Sequence, residues 1–441
     1  MPDNAVSADP AVQAQLARLW ALSPGADVLG LDRITALLAR IGDPQRRLPP
    51  VFHVAGTNGK GSTCAFLRAV LEAAGYRVHV YTSPHLVAFN ERIRLAGTLI
   101  DDAALAALLR EVLDAAQAGG NIGASFFEVT TAAAFLAFSR TPADACIVEV
   151  GLGGRLDATN VVTPLVSGIA SLGIDHEAFL LVPEAGTPPA PLDRIGFEKA
   201  GIAKPGVPLV TQAYPASVAA TVTDVARTRG AIRLARDDAW QAEVRGDALR
   251  YSDAAGTLDL PLPGLAGAHQ ADNAALAVAM LRHQTVLAVP ATALATGIRA
   301  ARWPARLQRL APGPLTALAR QAVWIDGGHN PDAGARLADW YAKRDQPVDL
   351  IVGMLANKDS GAIVTPLAAV LGDRLRSLQV VVIPGHASHP LAAFSAPGMR
   401  SAPTAAGNLG EAVSRTGHTV LIAGSLYLAG EALRLNDEAP I

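Results

Sequence analysis

Gly56-Thr57-Asn58-Gly59-Lys60-Gly61-Ser62-Thr63 is the densest chemical signal in the chain. It follows an apolar run, VFHVA, and precedes CAFLRAVLEAAG, where apolar residues recur at helical spacing. Strand, glycine-rich loop and helix in that order leave free backbone N–H groups at a helix N-terminus, where anionic oxygens bind. Lys60 would reach the outer phosphates of a nucleotide, and Ser62 or Thr63 would meet a magnesium ion. The string departs from the common phosphate loop: Gly61 separates the lysine from the hydroxyls, and the leading glycine stands closer. The surrounding order of elements still favours a nucleotide over a merely structural turn. GLGGRLD lacks the G-x-G-x-x-G spacing, since its glycines fall at 151, 153 and 154, so nicotinamide binding is not supported.

Further side chains with chemical potential follow strand-like runs. Ser83 comes after RVHVYT, Glu149 closes ACIVE, and His176 follows VSGIASLGID. The carboxyl ends of parallel strands are where such folds bind ligands. A carboxylate there suits magnesium, although a solvated edge glutamate is the plainer alternative. Only five of the 37 basic residues are lysine: 60, 199, 204, 343 and 358. Genome composition accounts for such a ratio. A lysine that persists against it is a mild flag for chemistry closed to a guanidinium, such as compact phosphate binding or covalent modification.

The elements that must position these residues alternate. VFHVA, RVHVYTS, ACIVEV and VSGIASLG read as strands, with CAFLRAVLEAAG and TTAAAFLAFSRT as helices between them. This implies a parallel sheet wrapped by helices. Asp237–Pro263 reads as a β-meander, and HQADNAALAVAMLRHQ as a helix. A second alternation uses AVWIDGG, VDLIVGM, LQVVVIP and TVLIAGS. The expected domains are 1–299 and 300–441, with a boundary near Gly297–Pro304 and a ligand cleft between them. With 441 residues, half of them apolar and 17% charged, the chain can bury large cores. A net charge of −2 argues against a nucleic-acid-coating protein. Cys64 and Cys146 are too few for a disulfide framework and point to a reducing cytoplasm. No apolar run is long enough for a membrane span, and the N-terminus does not read as a signal peptide.

GTNGKGST narrows the field to ATP-dependent Mur-type amide ligases. With YTSPHLVAFNERIRLAG, FFEVTTAAAFLAF, EVGLGGRLDATNVV, SLGIDHEAFL, GFEKAGIAKPG, WPARLQ, IDGGHNPDA, VGMLANKD and AGSLYLAGE, the chain resembles the folylpolyglutamate synthase family in its bacterial form, bifunctional with dihydrofolate synthase. The segments run in family order from about residue 28 to 430. The resemblance implies an α/β fold with a P-loop NTPase-type parallel-sheet N-terminal domain and a smaller Rossmann-like C-terminal domain, with ATP between them. It implies that a carboxylate of dihydropteroate or of a reduced folate is phosphorylated by ATP and then attacked by the amine of L-glutamate. The partners are small molecules, with no nucleic acid and no membrane, and the expected species is a cytoplasmic monomer.

The same resemblance distributes roles. Lys60, Lys199 and His176 are the catalytic candidates, with Lys199 carbamylated by carbon dioxide. Ser62, Ser83, Glu149 and His176 are the candidate ligands of magnesium, two ions being expected. Gly56 to Thr63, Asn273, Arg306, Asp326, His329 and Asn330 are assigned to the nucleotide. Asn273 is expected at the adenine, Arg306 at the phosphates, and Asp326 at the ribose or the loop. Asp27, Val28 and Leu29, Ser125, Phe126, Phe127 and Glu128, and Arg155, Leu156 and Asp157 are assigned to the pterin substrate. The adjacent phenylalanines would stack on its ring and Arg155 would meet its carboxylate. Ser425 matches a family serine without a stated role. Gly328 stands where the family usually has alanine, and a looser loop is expected. VPEAGTPPAP, between His176 and Lys199, is an insertion relative to the family and reads as a surface loop. It either bulges outward or covers the glutamate or tail site. A cell-wall amide ligase and a non-catalytic P-loop switch are the rival readings. TSPHL, FFE and GLGGRLD argue against the first; the modifiable lysine and candidate metal ligands argue against the second.

Overall fold

The computed structural model describes residues 6–22, 29–395 and 402–439. The chain forms two units. One comprises the residues up to Gly264 together with Gln270–Arg302, the other Leu265–His269 with Trp303 onward. The short segment 265–269 belongs with the second unit although flanked in sequence by the first, a return that reading elements in order does not reveal.

In the first unit, the strands are β1 (Val51–Ala55), β2 (Val78–Tyr81), β3 (Ile93–Leu95), β4 (Thr98–Leu99), β5 (Ala145–Glu149), β6 (Val166–Ile169), β7 (Pro208–Thr211) and β8 (Ile232–Ala235). Among the described residues they lie in the order β4-β3-β2-β5-β1-β6-β7-β8. β2, β5, β1, β6, β7 and β8 are parallel, whereas β3 and β4 run antiparallel at one edge. β1 and β5 are buried along their whole length, as expected for central parallel strands covered on both faces. Cys146 and Val148 pack with helices Asp32–Arg40, Asp102–Gln117 and Phe126–Arg140. Val150 and Ile169, further along the sheet, pack with Pro191–Ala200 and Ala216–Thr228. Side chains alternate along a strand, so β6 turns Gly168 to the opposite face. There a Cβ on Gly168 would stand 2.3 Å from Met280 Sδ of helix His269–Arg282. The expected meander is present as β9 (Trp240–Arg245), β10 (Ala248–Asp253) and β11 (Gly256–Pro261), antiparallel and in order.

The second unit carries β12 (Gln308–Arg309), β13 (Val323–Asp326), β14 (Val348–Val352), β15 (Leu375–Val380), β16 (Thr404–Ala405) and β17 (Thr419–Ala423), ordered β12-β13-β17-β14-β15-β16. All pairings but β12–β13 are parallel. The four longer strands are the four apolar runs read from the sequence. Among the described residues no helix is long and apolar enough to cross a membrane.

Helix Lys60–Ala73, which follows the glycine loop, is seated against helix Ala291–Ala300 through Gly297, where a Cβ would lie 2.4 Å from Val70 Cα. Glycine to alanine normally stabilises a helix interior by about 1 kcal/mol. Here backbone must move instead, so Gly297→Ala should destabilise the protein by about 1–3 kcal/mol, read as a lower Tm. An unchanged or higher Tm would contradict the close seating.

Candidate active site

The loop between β1 and helix Lys60–Ala73 is shaped by Gly56 (φ +152°) and Gly59 (φ +84°), conformations that side chains strain to adopt. A Cβ on Gly56 would meet Ala170 Cβ at 2.9 Å, and one on Gly59 would meet Asn273 Oδ1 at 2.3 Å. The loop is tied to the segment after β6. Thr57 N–H donates to Ser171 O (2.8 Å), Thr57 Oγ1 donates to Gly173 O (2.8 Å), and Ser171 Oγ donates to Asn58 O (3.1 Å). Lys60 Nζ folds back to Gly56 O (3.0 Å) and Thr57 O (3.3 Å). Ser62 and Thr63 are buried, and Thr63 Oγ1 has no hydrogen-bond partner. Asn273, expected at an adenine, lies against Gly59 of the loop, its Nδ2 donating to Gln270 Oε1 (3.0 Å).

The candidate metal ligands follow three parallel strands, β2, β5 and β6. Glu149 closes β5, is buried, and accepts a hydrogen bond from Ser83 N–H (3.3 Å). His176 lies five residues beyond Ser171, exposed, in the left-handed region (φ +55°). Its backbone N–H donates to Asp175 Oδ1 (2.8 Å). Among the described residues no three His, Cys, Asp or Glu side chains are gathered to hold a metal ion. Magnesium at phosphoryl-transfer sites rests on one or two carboxylates and the phosphates themselves. A hydroxyl beside a buried carboxylate, at the mouth of a phosphate loop, fits that oxygen-donor chemistry.

Lys199 is buried on helix Pro191–Ala200. Burial, and then the charge of Lys60, push its amine down from 10.5 to about 7, against the opposing pull of Asp175, Asp157 and Glu198. Lys60 and Lys199 therefore share one electrostatic neighbourhood, and the Lys199 amine gives up its proton far more readily than a solvated lysine.

The residues assigned to the pterin substrate also make structural contacts. Ser125 and Glu128 cap helix Phe126–Arg140 reciprocally: Glu128 N–H donates to Ser125 Oγ (3.2 Å) and Ser125 N–H to Glu128 Oε2 (2.7 Å). Glu128 also holds Arg33 (3.1 Å). This is the S-x-x-E capping box, a signal present in SFFE. Adjacent helical residues point about 100° apart, so the two phenylalanines meet different neighbours. Phe126 is core, against Trp20 (5.0 Å) and Phe89 (5.9 Å). Phe127 is half-buried beside Tyr81 and covers Gly151, whose Cβ would meet its ring at 2.3 Å. Asp157 is also buried, accepting from Leu152 N–H (2.7 Å) and Thr159 N–H (3.0 Å) and shaping the GLGG turn. Arg155 is engaged by two carboxylates, Glu198 (2.9 Å) and Glu184 (2.5 Å). Glu184 belongs to the inserted loop, which the sequence could not assign a direction. Leu156 and Leu29 are half-buried, and Asp27 and Val28 lie outside the described residues.

In the second unit, Asp326 organises the assigned residues. Oδ2 accepts from Leu307 N–H (2.9 Å) and Oδ1 from Gly328 N–H (2.7 Å), bringing the segment that bears Arg306 to the GGHN loop. Gly327 N–H donates to Ala305 O (2.9 Å), and Arg306 Nη1 donates to the same oxygen (2.9 Å). His329 Nδ1 lies 3.4 Å from Gly327 O. Asn330 caps helix Pro331–Ala342, accepting from Ala333 N–H (3.0 Å). Gly328 does not simply loosen the loop: a Cβ there would meet Ala333 Cβ at 2.6 Å and Asp326 Oδ1 at 2.8 Å. Ser425 gains a structural role as the buried cap of helix Leu426–Leu435, accepting from Tyr427 N–H (3.1 Å).

A glycine loop at a helix N-terminus, with a hydroxyl and a carboxylate at neighbouring strand ends, defines a P-loop nucleotide-binding fold. No family model matches the chain. The Escherichia coli dihydrofolate synthase/folylpolyglutamate synthase is 37% identical over 348 residues, 78% of this chain and 76% of that protein. Among solved structures, E. coli FolC in complex with DHPP and ADP has a TM-score of 0.83 at 32% identity, over 98% of each chain. A bifunctional folylpolyglutamate synthase/dihydrofolate synthase with Mn, AMPPNP and L-glutamate bound has a TM-score of 0.80 at 30% identity, over 96% of this chain and 97% of that one. The chain belongs to the dihydrofolate synthase/folylpolyglutamate synthase family.

The depressed Lys199 amine sets a pH dependence. From about pH 7 up to 10.5 the unfolded chain holds a proton that the folded chain has released, so stability rises with pH through that window. Lys199→Met removes the term. The variant should melt above the wild type at pH 7, by a margin that closes toward pH 10.5. An equal margin at both pH values would contradict the burial of an ionisable amine here.

Proposed function

We propose that this protein is an ATP-dependent ligase joining L-glutamate to dihydropteroate, giving dihydrofolate, and to reduced folates, giving folylpolyglutamates. A carboxylate is a poor acyl donor because its leaving group would be oxide. Transfer of the γ-phosphoryl group from ATP to a carboxylate oxygen, with loss of ADP, turns that oxygen into part of a good leaving group. The glutamate amine then adds to the acyl carbon, an amide forms, and inorganic phosphate and the amine proton depart.

The chain's own groups serve this sequence at the phosphate loop. Backbone N–H groups of residues 56–63 and Lys60 bind the phosphates and hold them in line with the acceptor. Ser83, Glu149 and His176 would hold magnesium, with Ser62 or Thr63 meeting it from the loop; when bound, magnesium offsets the repulsion between ATP and the acceptor carboxylate. In the second unit, Arg306, Asp326, His329 and Asn330 serve the nucleotide.

Lys199 carries a carbamate in this reading. Carbon dioxide adds to its neutral amine, one proton is released, and a buried amine becomes an anionic oxygen donor. The observation that carries the reading is a glycine-shaped loop bearing Lys60 at a helix N-terminus, with a second, buried amine, Lys199, within its electrostatic reach.

Phosphate release should depend on both L-glutamate and the pterin acid, with dihydropteroate and tetrahydrofolate each supporting it. Release that ignores glutamate would sink the ligase reading, and activity on tetrahydrofolate alone would remove the dihydrofolate synthase half. Lys199→Arg keeps the positive charge but cannot form a carbamate; its turnover should fall on the order of a hundredfold. Near-normal turnover in that variant would reject the carbamate.

A further inference from the structure

The insertion at residues 182–191 does not bulge freely: it delivers one carboxylate to a pair of guanidiniums. Arg155 presents two hydrogen-bonding edges. Its Nε and Nη2 donate to Glu198 (3.1 and 2.9 Å), and its Nη1 and Nη2 donate to Glu184 (3.1 and 2.5 Å). Arg194 Nη2 reaches both acids as well, Glu184 at 2.9 Å and Glu198 at 3.0 Å. Both guanidiniums lie over the ring of Phe197, at 5.3 and 5.7 Å from its centre.

The two acids are held differently. Glu198 is buried on a helix and belongs to the framework. The backbone of Arg155 is fixed as well, its N–H donating to Glu198 O (2.8 Å) and its carbonyl accepting from Asn160 Nδ2 (3.0 Å). Glu184 sits in a Pro- and Gly-rich loop with its side chain 45% exposed. Without it, two guanidiniums would share one carboxylate, and the outer edge of Arg155 would be open to a planar anion. The fit of Glu184 is also incomplete: Arg194 is buried, yet its Nε has no hydrogen-bond partner. A carboxylate free of the loop could engage that donor too, in the bidentate manner guanidiniums favour.

We propose that Arg155 and Arg194 form a carboxylate-binding subsite for the ligase reaction, and that Glu184 is its built-in competitor, displaced by a substrate carboxylate. The claim rests on the ligase reading and adds to it the residue that sets the apparent affinity. The subsite accepts a carboxylate group, whether from L-glutamate or from the pterin acid. The insertion thus acts as a loop-borne occupant that an incoming acid must exchange with, one carboxylate for another, without change in net charge.

The test is the KM of wild type and Glu184→Gln for L-glutamate, dihydropteroate and tetrahydrofolate, each pterin acid varied alone with ATP and glutamate saturating, and glutamate varied with one pterin acid saturating. Removing a partly exposed competing charge should lower the KM for one of these acids about fivefold. Which KM moves identifies the source of the carboxylate. A thermal-shift titration with glutarate, a dicarboxylate lacking the amine, should show tighter binding to Glu184→Gln than to wild type. That gain should vanish in the double variant Glu184→Gln/Arg155→Gln. Glu184→Asp, which keeps the charge on a shorter arm, carries the same comparison should the neutral variant fold poorly. Unchanged or raised KM for all three acids, with no gain in glutarate binding, overturns the proposal. A wild-type enzyme that turns over normally under those results leaves the ligase reading intact, whereas absence of glutamate-dependent turnover in wild type defeats that reading itself.

Discussion

The burial of Lys199 within the field of Lys60 is the constraint on which the rest of the site depends. Two ammonium groups in one poorly solvated neighbourhood cannot both stay protonated without nearby anions. Asp175, Asp157 and Glu198 supply part of that compensation, but burial and Lys60 outweigh them and leave the Lys199 amine near 7. A site so arranged suits polyanionic phosphate at one amine and conversion of the other to an anion. The fold serves this by bringing β1, β5 and β6 side by side. Their carboxyl ends then set the phosphate loop, Glu149 and the segment leading to His176 next to one another.

The loop owes its shape to packing as much as to glycine flexibility. Gly56 and Gly59 take positive φ, but each also stands where a Cβ would strike a neighbour, Ala170 or Asn273. Thr57 and Ser171 then lock the loop to the strand beside it. The polar groups of the first unit therefore include some that build turns, such as Thr57 in the phosphate loop and Asp157 in the GLGG turn, and others assigned to the proposed chemistry, such as Lys60, Ser83, Glu149 and Lys199. Asp157 shows how burial and backbone hydrogen bonds turn an acid that sequence context assigns to substrate into a turn-former.

Much of this was legible in the chain. Apolar runs bounded by glycine located the long parallel strands, because a strand covered on both faces has to be continuously apolar. The phosphate loop is legible because a glycine-rich string between strand and helix stands out locally, whereas the roles given to Ser83 and Lys199 come from the family resemblance. Two-residue edge strands such as β12 and β16 are not legible, since they are too short to carry a periodic pattern. Ser125, Glu128, Asn330 and Ser425 each cap or brace a helix, and the S-x-x-E spacing carries that signal for the first pair. The division of Phe126 from Phe127 follows from helical rotation once the helix is known to start at Phe126. The meeting of Glu184 with Arg155 and Arg194 could not be read at all, because it joins the insertion to residues whose proximity is tertiary.

The central claim is that the acid is activated by phosphoryl transfer before the amide forms. It is tested most directly by dihydropteroate carrying oxygen-18 in its carboxylate, with the liberated phosphate analysed by mass spectrometry. The account predicts one labelled oxygen in each phosphate released, in step with dihydrofolate formed. Unlabelled phosphate, released while dihydrofolate accumulates, would contradict it.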